Sequence, residues 1–181
     1  MDFTEKALSS EYIFNGEIIN LRVDTVKTPL GTTATREIVE HPGGVCIVPM
    51  DNDGNIVMEH QYRRPFDTTL LEIPAGKLFP GEDALECGKR ELEEETGLRA
   101  RKYIPLGKIY PTPGFCGEII HMYLALDLYE GKLNPDEDEL IELEYIPLQK
   151  LIDMILSGEI TDAKTCVALM KVNEMKNRGL I

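Results

Sequence analysis

Residues 90–98 carry the sequence RELEEETGL, and this stretch decides how the rest of the chain is interpreted. It lies near the end of a predicted helix. At 100° per residue, Glu91, Glu94 and Glu95 fall within one third of a turn of that helix. The three carboxylates therefore form a stripe along one side of the helix, next to its predicted core face.

This carboxylate stripe is locally unfavourable. Glu91 and Glu95 are like charges four residues apart, which costs roughly 0.2–0.5 kcal/mol. All three acids also lie in the last turns, where the helix dipole prefers cations by about 0.3–1 kcal/mol per charge. Divalent cations would compensate, because hard Mg²⁺ or Mn²⁺ prefers oxygen ligands and is shared between carboxylates and substrate phosphates. The alternative is a solvated acidic helix face, and the stripe alone leaves both interpretations open.

The residues upstream of the stripe favour the metal site. Gly76 is followed by five residues and Glu82, and seven more residues precede Arg90. Residues 76–98 thus match the pattern G-x5-E-x7-R-E-U-x-E-E-x-G-U, where U is aliphatic, at all nine specified positions. This stretch resembles the Nudix box, the loop–helix–loop metal site of the Nudix hydrolases. Nine matches over 23 residues are far more specific than a lone glycine-rich loop.

Outside the box, the chain is similar to the ADP-ribose pyrophosphatases, a branch that includes relatives acting on other nucleoside diphosphate sugars. Pro113, about 15 residues beyond the box, matches the proline that in this family accompanies ADP-ribose hydrolysis. The other similar stretches lie within residues 36–170: they are residues 41–45, 61–65, 71–76, 111–115, 136–139 and 158–165. The resemblance implies a divalent-metal hydrolase that cleaves ADP-ribose, or a related compound, at its pyrophosphate bond.

The resemblance also implies which residues hold the metal. Glu91 and Glu95 match the two box ligands, and the backbone carbonyl of Ala75, the residue before the box glycine, is a further ligand. Glu139 in the acidic loop at residues 136–139 would be an additional one. The expected metal is Mg²⁺ or Mn²⁺.

Catalytic roles are carried over from the same resemblance. Glu137 is expected to be the general base, with Glu118 as the alternative, and Glu94 is expected to assist a metal ligand or a bound water. Arg90 is predicted to orient the glutamates through charge-assisted hydrogen bonds, with an ordinary i,i+4 pair to Glu86 or Glu94 as the alternative. Glu82 lies about 13 Å from Glu91 along a helix, so a structural role is expected rather than ligation of the same metal cluster.

Substrate contacts are expected from two arginines and from the loop around Pro113. Arg63 is predicted to contact phosphate or ribose, since a planar cation suits a diphosphate, and Arg64 is equally plausible. Arg36 and Glu37 match a pair near the nucleoside in relatives, with a cross-strand salt pair as the alternative. An N-terminal aromatic side chain would stack on adenine or pack in a core. The remaining predicted contacts are Thr112, Pro113, Gly114 and Glu118.

Composition limits the class of protein. The chain has 181 residues, of which 43% are apolar and 28% charged, and a net charge of −13. No basic tract supplies contacts to phosphate backbones, so neither nucleic acid nor an anionic membrane is expected as a partner. The four cysteines form no C-x-x-C pair, and reduced thiols are expected. No apolar run approaches 18 residues and no signal peptide is recognised, so a cytoplasmic enzyme is predicted.

The pattern along the chain predicts two domains. Residues 1–40 form a small antiparallel sheet of about three strands, which begins at Glu11 and turns at Asn15-Gly16. Residues 41–181 form the Nudix domain, an α+β fold of the α/β/α sandwich type in which a mixed sheet lies between helices. Strands are predicted at residues 45–49, 56–62, 70–73, 102–109, 119–128 and 141–146, and helices at about 82–95, 147–156 and 162–177.

The N-terminal sheet is too small to be stable alone. Relatives exchange it between subunits, so the resemblance implies a domain-swapped homodimer whose active sites are completed across the interface. Two alternatives to an ADP-ribose hydrolase stay open. One is a non-catalytic sensor of ADP-ribose or another nucleotide, although a pure binder need not retain the repulsive box acids. The other is an acidic scaffold dimer.

Overall fold

The computed structural model describes residues 1–134 and 140–181 and divides into two compact units. The smaller unit comprises Met1–Gly43 together with Tyr110–Ile119. The larger unit comprises Gly44–Ile109 and Ile120–Ile181. No helix in these described residues is both long enough and apolar enough to cross a membrane.

The smaller unit contains a three-stranded antiparallel sheet in the order β1-β2-β3, as predicted. Its strands are β1 (Lys6–Asn15), β2 (Asn20–Lys27) and β3 (Thr33–Glu40). The predicted start at Glu11 is wrong, because β1 pairs with β2 from Lys6 onward. The register of β1 shifts between Ala7 and Ser9, and this irregularity interrupts the alternation that would have indicated a strand.

The larger unit contains two sheets, ordered β10-β5-β6 and β7-β4-β9-β8. β4 and β9 are parallel and the other neighbours are antiparallel, so the second sheet is mixed. The elements are β4 (Gly44–Pro49), β5 (Asn55–Arg63), β6 (Thr68–Glu72), β7 (Ala75–Lys77), α1 (Ala84–Thr96), β8 (Leu98–Ile109), β9 (Ile120–Glu130), β10 (Glu142–Pro147), α2 (Leu148–Ser157) and α3 (Ala163–Asn177).

Strand β4 separates two apolar clusters, because successive side chains of a strand point to opposite faces. Val45 and Ile47 belong to a cluster with Leu92 of α1. Cys46 and Val48 belong to the larger cluster, which contains residues of α2 and α3. A mixed sheet with helices on both faces confirms the predicted α/β/α sandwich.

Two strands in the larger unit differ most from the prediction, since β7 was not predicted and β8 begins four residues early. No strand was predicted between residues 73 and 82, but Ala75–Lys77 forms β7, which pairs with Gly44–Cys46. Three residues are too few for a periodic pattern to reveal a strand. β8 begins at Leu98 rather than at residue 102, directly after Gly97 ends α1. Gly97 ends α1 in a left-handed conformation with φ 68°, which favours glycine at this position.

Candidate active site

Helix α1 is held at both ends and lies close against β4. The Asp83 carboxylate accepts hydrogen bonds from the backbone N–H groups of Leu85 and Glu86 and so caps the N-terminus. Gly88 faces the sheet, where an added Cβ would lie 2.5 Å from Cδ1 of Ile47. This close packing fixes the position of the carboxylates on the next turns of the helix.

Two of the predicted metal ligands on α1 meet the backbone of β7. Oε2 of Glu95 accepts a hydrogen bond from the backbone N–H of Ala75 at 3.0 Å. The Glu91 carboxylate lies so close to Gly76 that a Cβ there would be 1.8 Å from Oε1 of Glu91. The box therefore needs glycine at position 76, because any side chain would occupy the place of the carboxylate.

Arg90 connects the other box acids. Its Nη1 lies 2.8 Å from Oε1 of Glu91 and donates to Oε2 of Glu94 at 2.9 Å. Its Nε donates to Oε1 of Glu82 at 3.1 Å, and its guanidinium lies 4.6 Å from the ring centroid of Phe79. Arg90 thus contacts three box acids, including its i,i+4 neighbour Glu94, and its orienting role stays a prediction. The set formed by Glu82, Arg90, Glu91, Glu94 and Glu95 is called the box cluster below.

Glu82 has the geometry expected of a structural residue. Its Oε2 accepts from the backbone N–H of Phe79 at 2.9 Å, while its other oxygen accepts from Arg90. The hydrogen bond from Arg90 lowers the pKa of Glu82, and the Phe79 amide adds to the effect. Glu82 thus closes the loop that precedes α1 and fixes one edge of the Arg90 guanidinium.

The electrostatics of the box cluster are dominated by Arg90. Burial alone would lower the pKa of Arg90, but hydrogen bonds to Glu82 and Glu94 and the charge of Glu91 outweigh it, so the pKa is raised. Cys87 lies beneath this arginine, and burial raises the pKa of its thiol to about 12. Arg90 is therefore always charged here, and Cys87 is a neutral packing group.

The carboxylate oxygens of the box cluster are the type of ligand that a hard divalent cation prefers. Glu91 lies against Gly76 and Glu95 bonds the adjacent Ala75 of β7, and the Ala75 carbonyl belongs to that strand. Within residues 1–134 and 140–181, no three acidic, histidine or cysteine side chains are gathered as a metal-binding group. A bound ion would therefore take further oxygens from backbone and substrate phosphates, which is the usual situation for Mg²⁺.

A second group of charged side chains lies around Glu72, three residues before Ala75 of β7. The carboxylate of Glu72, at the end of β6, accepts hydrogen bonds from Nε and Nη2 of Arg63, each at 2.8 Å. Lys164 at the start of α3 donates to the same Glu72 carboxylate and, at 3.0 Å, to Oδ2 of Asp162. Arg63, Glu72, Asp162 and Lys164 are called the strand cluster below. The geometry fixes Arg63, a predicted substrate contact, from one side.

The strand cluster is charged although it is buried. The Glu72 side chain is 1% exposed and that of Lys164 is 9% exposed. Burial would raise the pKa of Glu72, but the hydrogen bonds from Arg63 and the charge of Lys164 outweigh it and the pKa is lowered. Burial likewise opposes the charge on Lys164, yet Asp162 and Glu72 raise its pKa. Both partners are therefore ionised at neutral pH.

The predicted contacts in the smaller unit lie on β3 and on residues 110–119. Arg36 donates through Nε to Glu5 at 3.0 Å, so it forms an ion pair within the N-terminal sheet region. Glu37 is its exposed neighbour on β3. These positions leave the predicted nucleoside contact untested.

The loop around Pro113 is anchored to β3. The carbonyl of Thr112 accepts from the backbone N–H of Cys116 at 3.0 Å, which closes a turn around exposed Pro113 and Gly114. Glu118 lies 3.7 Å from Nδ1 of His41, a residue to which the sequence assigned no chemistry.

The structure brings together Ala75, Arg90, Glu91, Glu94 and Glu95. It does not test Glu137 and Glu139, which lie outside the described residues. Sequence reasoning gave no role to Glu72, Lys164 or Phe79. A glutamate inside the apolar run Leu70–Ile73 was a signal for Glu72, because a carboxylate there must be paired when buried.

Comparison with known proteins identifies the family of the chain. Residues 40–167 match the NUDIX domain family, and residues 5–39 match the nucleoside diphosphate sugar hydrolase N-terminal domain. The ADP-ribose pyrophosphatase of Bacillus subtilis (strain 168) is 42% identical over 167 residues, covering 91% of this chain and 90% of the relative. The methanol dehydrogenase activator of Bacillus methanolicus is 43% identical over 169 residues, covering 92% and 91% respectively.

Solved structures give the same fold. A crystal structure of an ADP compounds hydrolase matches with a TM-score of 0.87 and 24% identity, covering 100% of both chains. The fold, the box cluster and the family matches point to one conclusion: the chain belongs to the Nudix family of hydrolases.

Proposed function

We propose that this protein hydrolyses the pyrophosphate bond of ADP-ribose, giving AMP and ribose 5-phosphate, with Mg²⁺ or Mn²⁺ as cofactor. A related nucleoside diphosphate sugar is the near variant of this substrate. The observation that carries the proposal is the convergence of the Glu91 and Glu95 carboxylates on the backbone of residues 75 and 76. The relative from Bacillus subtilis that is named an ADP-ribose pyrophosphatase supports this substrate class.

The proposed roles follow from the contacts of each side chain. Glu91, Glu95, the Ala75 carbonyl and Glu139 would hold the divalent ions, which supply charge neutralisation and an acidified water when bound. Arg90 holds the carboxylates of Glu91 and Glu94 in place by charge-assisted hydrogen bonds.

The reaction itself needs a base and an anion-binding group. Glu137 would take a proton from the attacking water, with Glu118 as the alternative base. The water oxygen forms a bond to one phosphorus, and the bond from that phosphorus to the bridging oxygen breaks. Arg63, whose side chain is 34% exposed beyond its contact with Glu72, would bind an oxygen of the diphosphate. The residues proposed to contact the rest of the substrate are Arg36, Glu37, Thr112, Pro113, Gly114 and Glu118.

A substrate panel with a matched pair of variants tests the proposal. ADP-ribose, ADP-glucose and GDP-mannose are incubated with Mg²⁺, and AMP or GMP release is measured for the wild type, Glu95→Gln and Glu93→Gln. The amide introduced by Glu95→Gln would keep an acceptor for the Ala75 N–H, so the fold should persist while kcat falls at least about 100-fold. Glu93 lies on the same helix but bonds Arg99, so Glu93→Gln should remain near wild type.

Two results would contradict the proposal. Unchanged turnover in Glu95→Gln would remove Glu95 from the metal site. Tight binding of ADP-ribose by the wild type without any release of AMP, under either Mg²⁺ or Mn²⁺, would instead favour a nucleotide sensor.

We also propose that the protein is a homodimer that exchanges its N-terminal sheet. All ten residues of β1 are exposed, although a strand in a folded sheet ordinarily buries one face. Its apolar side chains Leu8, Tyr12, Ile13 and Phe14 are at least half exposed. An exposed apolar strand of this kind is typical of an interface. Light scattering should give twice the chain mass, and a monomer at micromolar concentration would contradict the proposal.

A cytoplasmic location is proposed from the cysteines. All four are free thiols, and Cys46 and Cys87 are buried. Reduced thiols persist in reducing compartments.

A further inference from the structure

The strand cluster connects two segments that lie far apart in sequence. Lys164 and Thr165 are both 92 residues from their partners in the segment that leads to the box. Lys164 donates to Glu72, and the Thr165 hydroxyl accepts from the backbone N–H of Ile73 at 3.1 Å. Two residues further, the Ala75 amide donates to Glu95. The start of α3 therefore holds the backbone that carries residues 72–75.

Lys164 also determines the charge around Arg63. The carboxylates of Glu72, Glu59 and Asp162 all act electrostatically on Arg63. Lys164 contacts two of these three carboxylates, Glu72 and Asp162. Without Lys164, the charge of Arg63 would be offset by Glu72 and Asp162 and would attract an anion less strongly.

The Arg63 guanidinium is arranged to bind a second anion. Glu72 engages the edge formed by Nε and Nη2, and the side chain is still 34% exposed. An arginine that is gripped along one edge presents its remaining N–H donors in a fixed direction. Such preorganisation helps affinity for a rigid, multiply charged group such as a diphosphate.

We propose that Lys164 is a positioning residue for substrate binding: it shares Glu72 with Arg63 and thereby keeps the guanidinium oriented and its charge available to the diphosphate. The inference rests on the proposed function, in which Arg63 binds the diphosphate. Lys164 itself touches no substrate in this scheme and acts only through Arg63.

A double-mutant cycle tests this dependence. KM and kcat for ADP-ribose with Mg²⁺ are measured for the wild type, Lys164→Met, Arg63→Ala and the double variant. Lys164→Met should raise KM about 10-fold with kcat changed by less than about 3-fold, because ground-state and transition-state binding are lost together. In the Arg63→Ala background the same substitution should change KM by less than about 2-fold.

Three further variants separate positioning from stability. Lys164→Arg keeps the charge and should recover most of the affinity. Lys171→Met removes the same charge from the same helix, where it bonds the Leu106 carbonyl, and should leave KM unchanged. If Lys164→Met does not fold, Lys164→Gln takes its place in the cycle, since it keeps a donor to Glu72 without the charge.

The outcomes distinguish this inference from the proposed function. The positioning role alone is overturned if the wild type is active and Lys164→Met raises KM equally in the wild-type and Arg63→Ala backgrounds. It is also overturned if Lys164→Met lowers the melting temperature and leaves KM unchanged. Wild type that neither turns over nor binds ADP-ribose overturns the proposed function and this inference with it. If ADP-ribose binds without turnover, the same cycle is decided with Kd in place of KM.

Discussion

The box cluster and the strand cluster attach to the same short backbone segment, residues 72–76, but they differ in charge balance. The box cluster contains four carboxylates and one arginine. The strand cluster contains two carboxylates and two cations. A balanced cluster can neutralise itself in a buried place, whereas an acid-rich cluster is most stable when cations are supplied from outside.

Exposure differs in the same sense. Glu72 is almost fully buried, whereas the side chains of Glu91 and Glu94 are 12% and 36% exposed. Exposure also varies within each cluster, since Glu95 is only 3% exposed and the side chain of Asp162 is 18% exposed. Glu91 and Glu94 are thus the box acids open to solvent, and Arg63 and Asp162 are the members of the strand cluster that reach it. In the proposed function the acid-rich box cluster would hold the metal ions, and the charge-balanced strand cluster would position Arg63.

The largest expected effect comes from a substitution at Gly76, where the Glu91 carboxylate of the box cluster lies against β7. Gly76→Ala would place a Cβ at the Glu91 carboxylate, 1.8 Å from Oε1, and the flexible end of Glu91 would have to move. Because the displaced atoms belong to a side chain, the melting temperature should change little while kcat/KM falls about 100-fold. Steady-state kinetics with Mg²⁺ and a thermal melt measure the two effects.

Gly131→Ala is the matched control for this substitution. A Cβ at Gly131 would crowd Glu93, an acid of the same helix outside the box cluster, at 3.1 Å. Displacing Glu93 should leave activity within about 3-fold of wild type. Equal losses in the two variants would show that the box cluster is no more sensitive than the rest of the helix.

The strand cluster should make the free energy of unfolding depend on pH on the acid side. The pKa of Glu72 is lowered in the folded protein from an ordinary value of 4.5, so the unfolded state binds the proton more readily. The stabilisation is complete above about pH 4.5 and is lost as the pH falls through the folded-state pKa. Glu72→Gln should remove this part of the acid-side slope of unfolding free energy.

Glu72→Gln should also lower the free energy of unfolding at neutral pH by about 2 kcal/mol. This is less than the usual cost of breaking a buried ion pair, because Arg63 can still be solvated. Denaturant titrations of the wild type and the variant, from about pH 3 to pH 7, measure both quantities. Parallel stability curves for the two proteins would mean that Glu72 titrates alike in the folded and unfolded states, which contradicts the lowered pKa.

The difference between the clusters also explains what the sequence predicted. The contacts of Arg90 in the box cluster join residues one to eight positions apart within one helix and its preceding loop, so helical periodicity placed Glu91, Glu94 and Glu95 together. In the strand cluster Glu72 and Lys164 are 92 residues apart, and no local pattern links them. Periodicity reports neighbours along a helix or strand, whereas tertiary pairs between elements depend on the topology.

The same distinction applies to the fold. The sandwich and the three helices in the described residues agree with the predicted patterns because each element is long enough to show its period. β7 was missed because a three-residue strand exists only through its pairing with β4. The assignments of Glu137 as base and Glu139 as ligand stay predictions, as do the roles of the other site residues.

The smallest expected effect concerns Phe79, which lies beside the box cluster. Its ring is 60% exposed and faces the Arg90 guanidinium at 4.6 Å, a cation–π contact worth about 0.5–1 kcal/mol at an exposed position. Phe79→Leu should therefore lower kcat/KM by only about 2- to 5-fold, because Glu82 and Glu94 still hold Arg90.

Phe79→Tyr keeps the aromatic face and serves as the control, with activity expected at the wild-type level. Loss of activity in Phe79→Leu that approached the effect of Gly76→Ala would mean that stacking, and not the carboxylate contacts, fixes Arg90. The box cluster would then depend on an exposed aromatic ring for its geometry, and its contrast with the self-contained strand cluster would be sharper still.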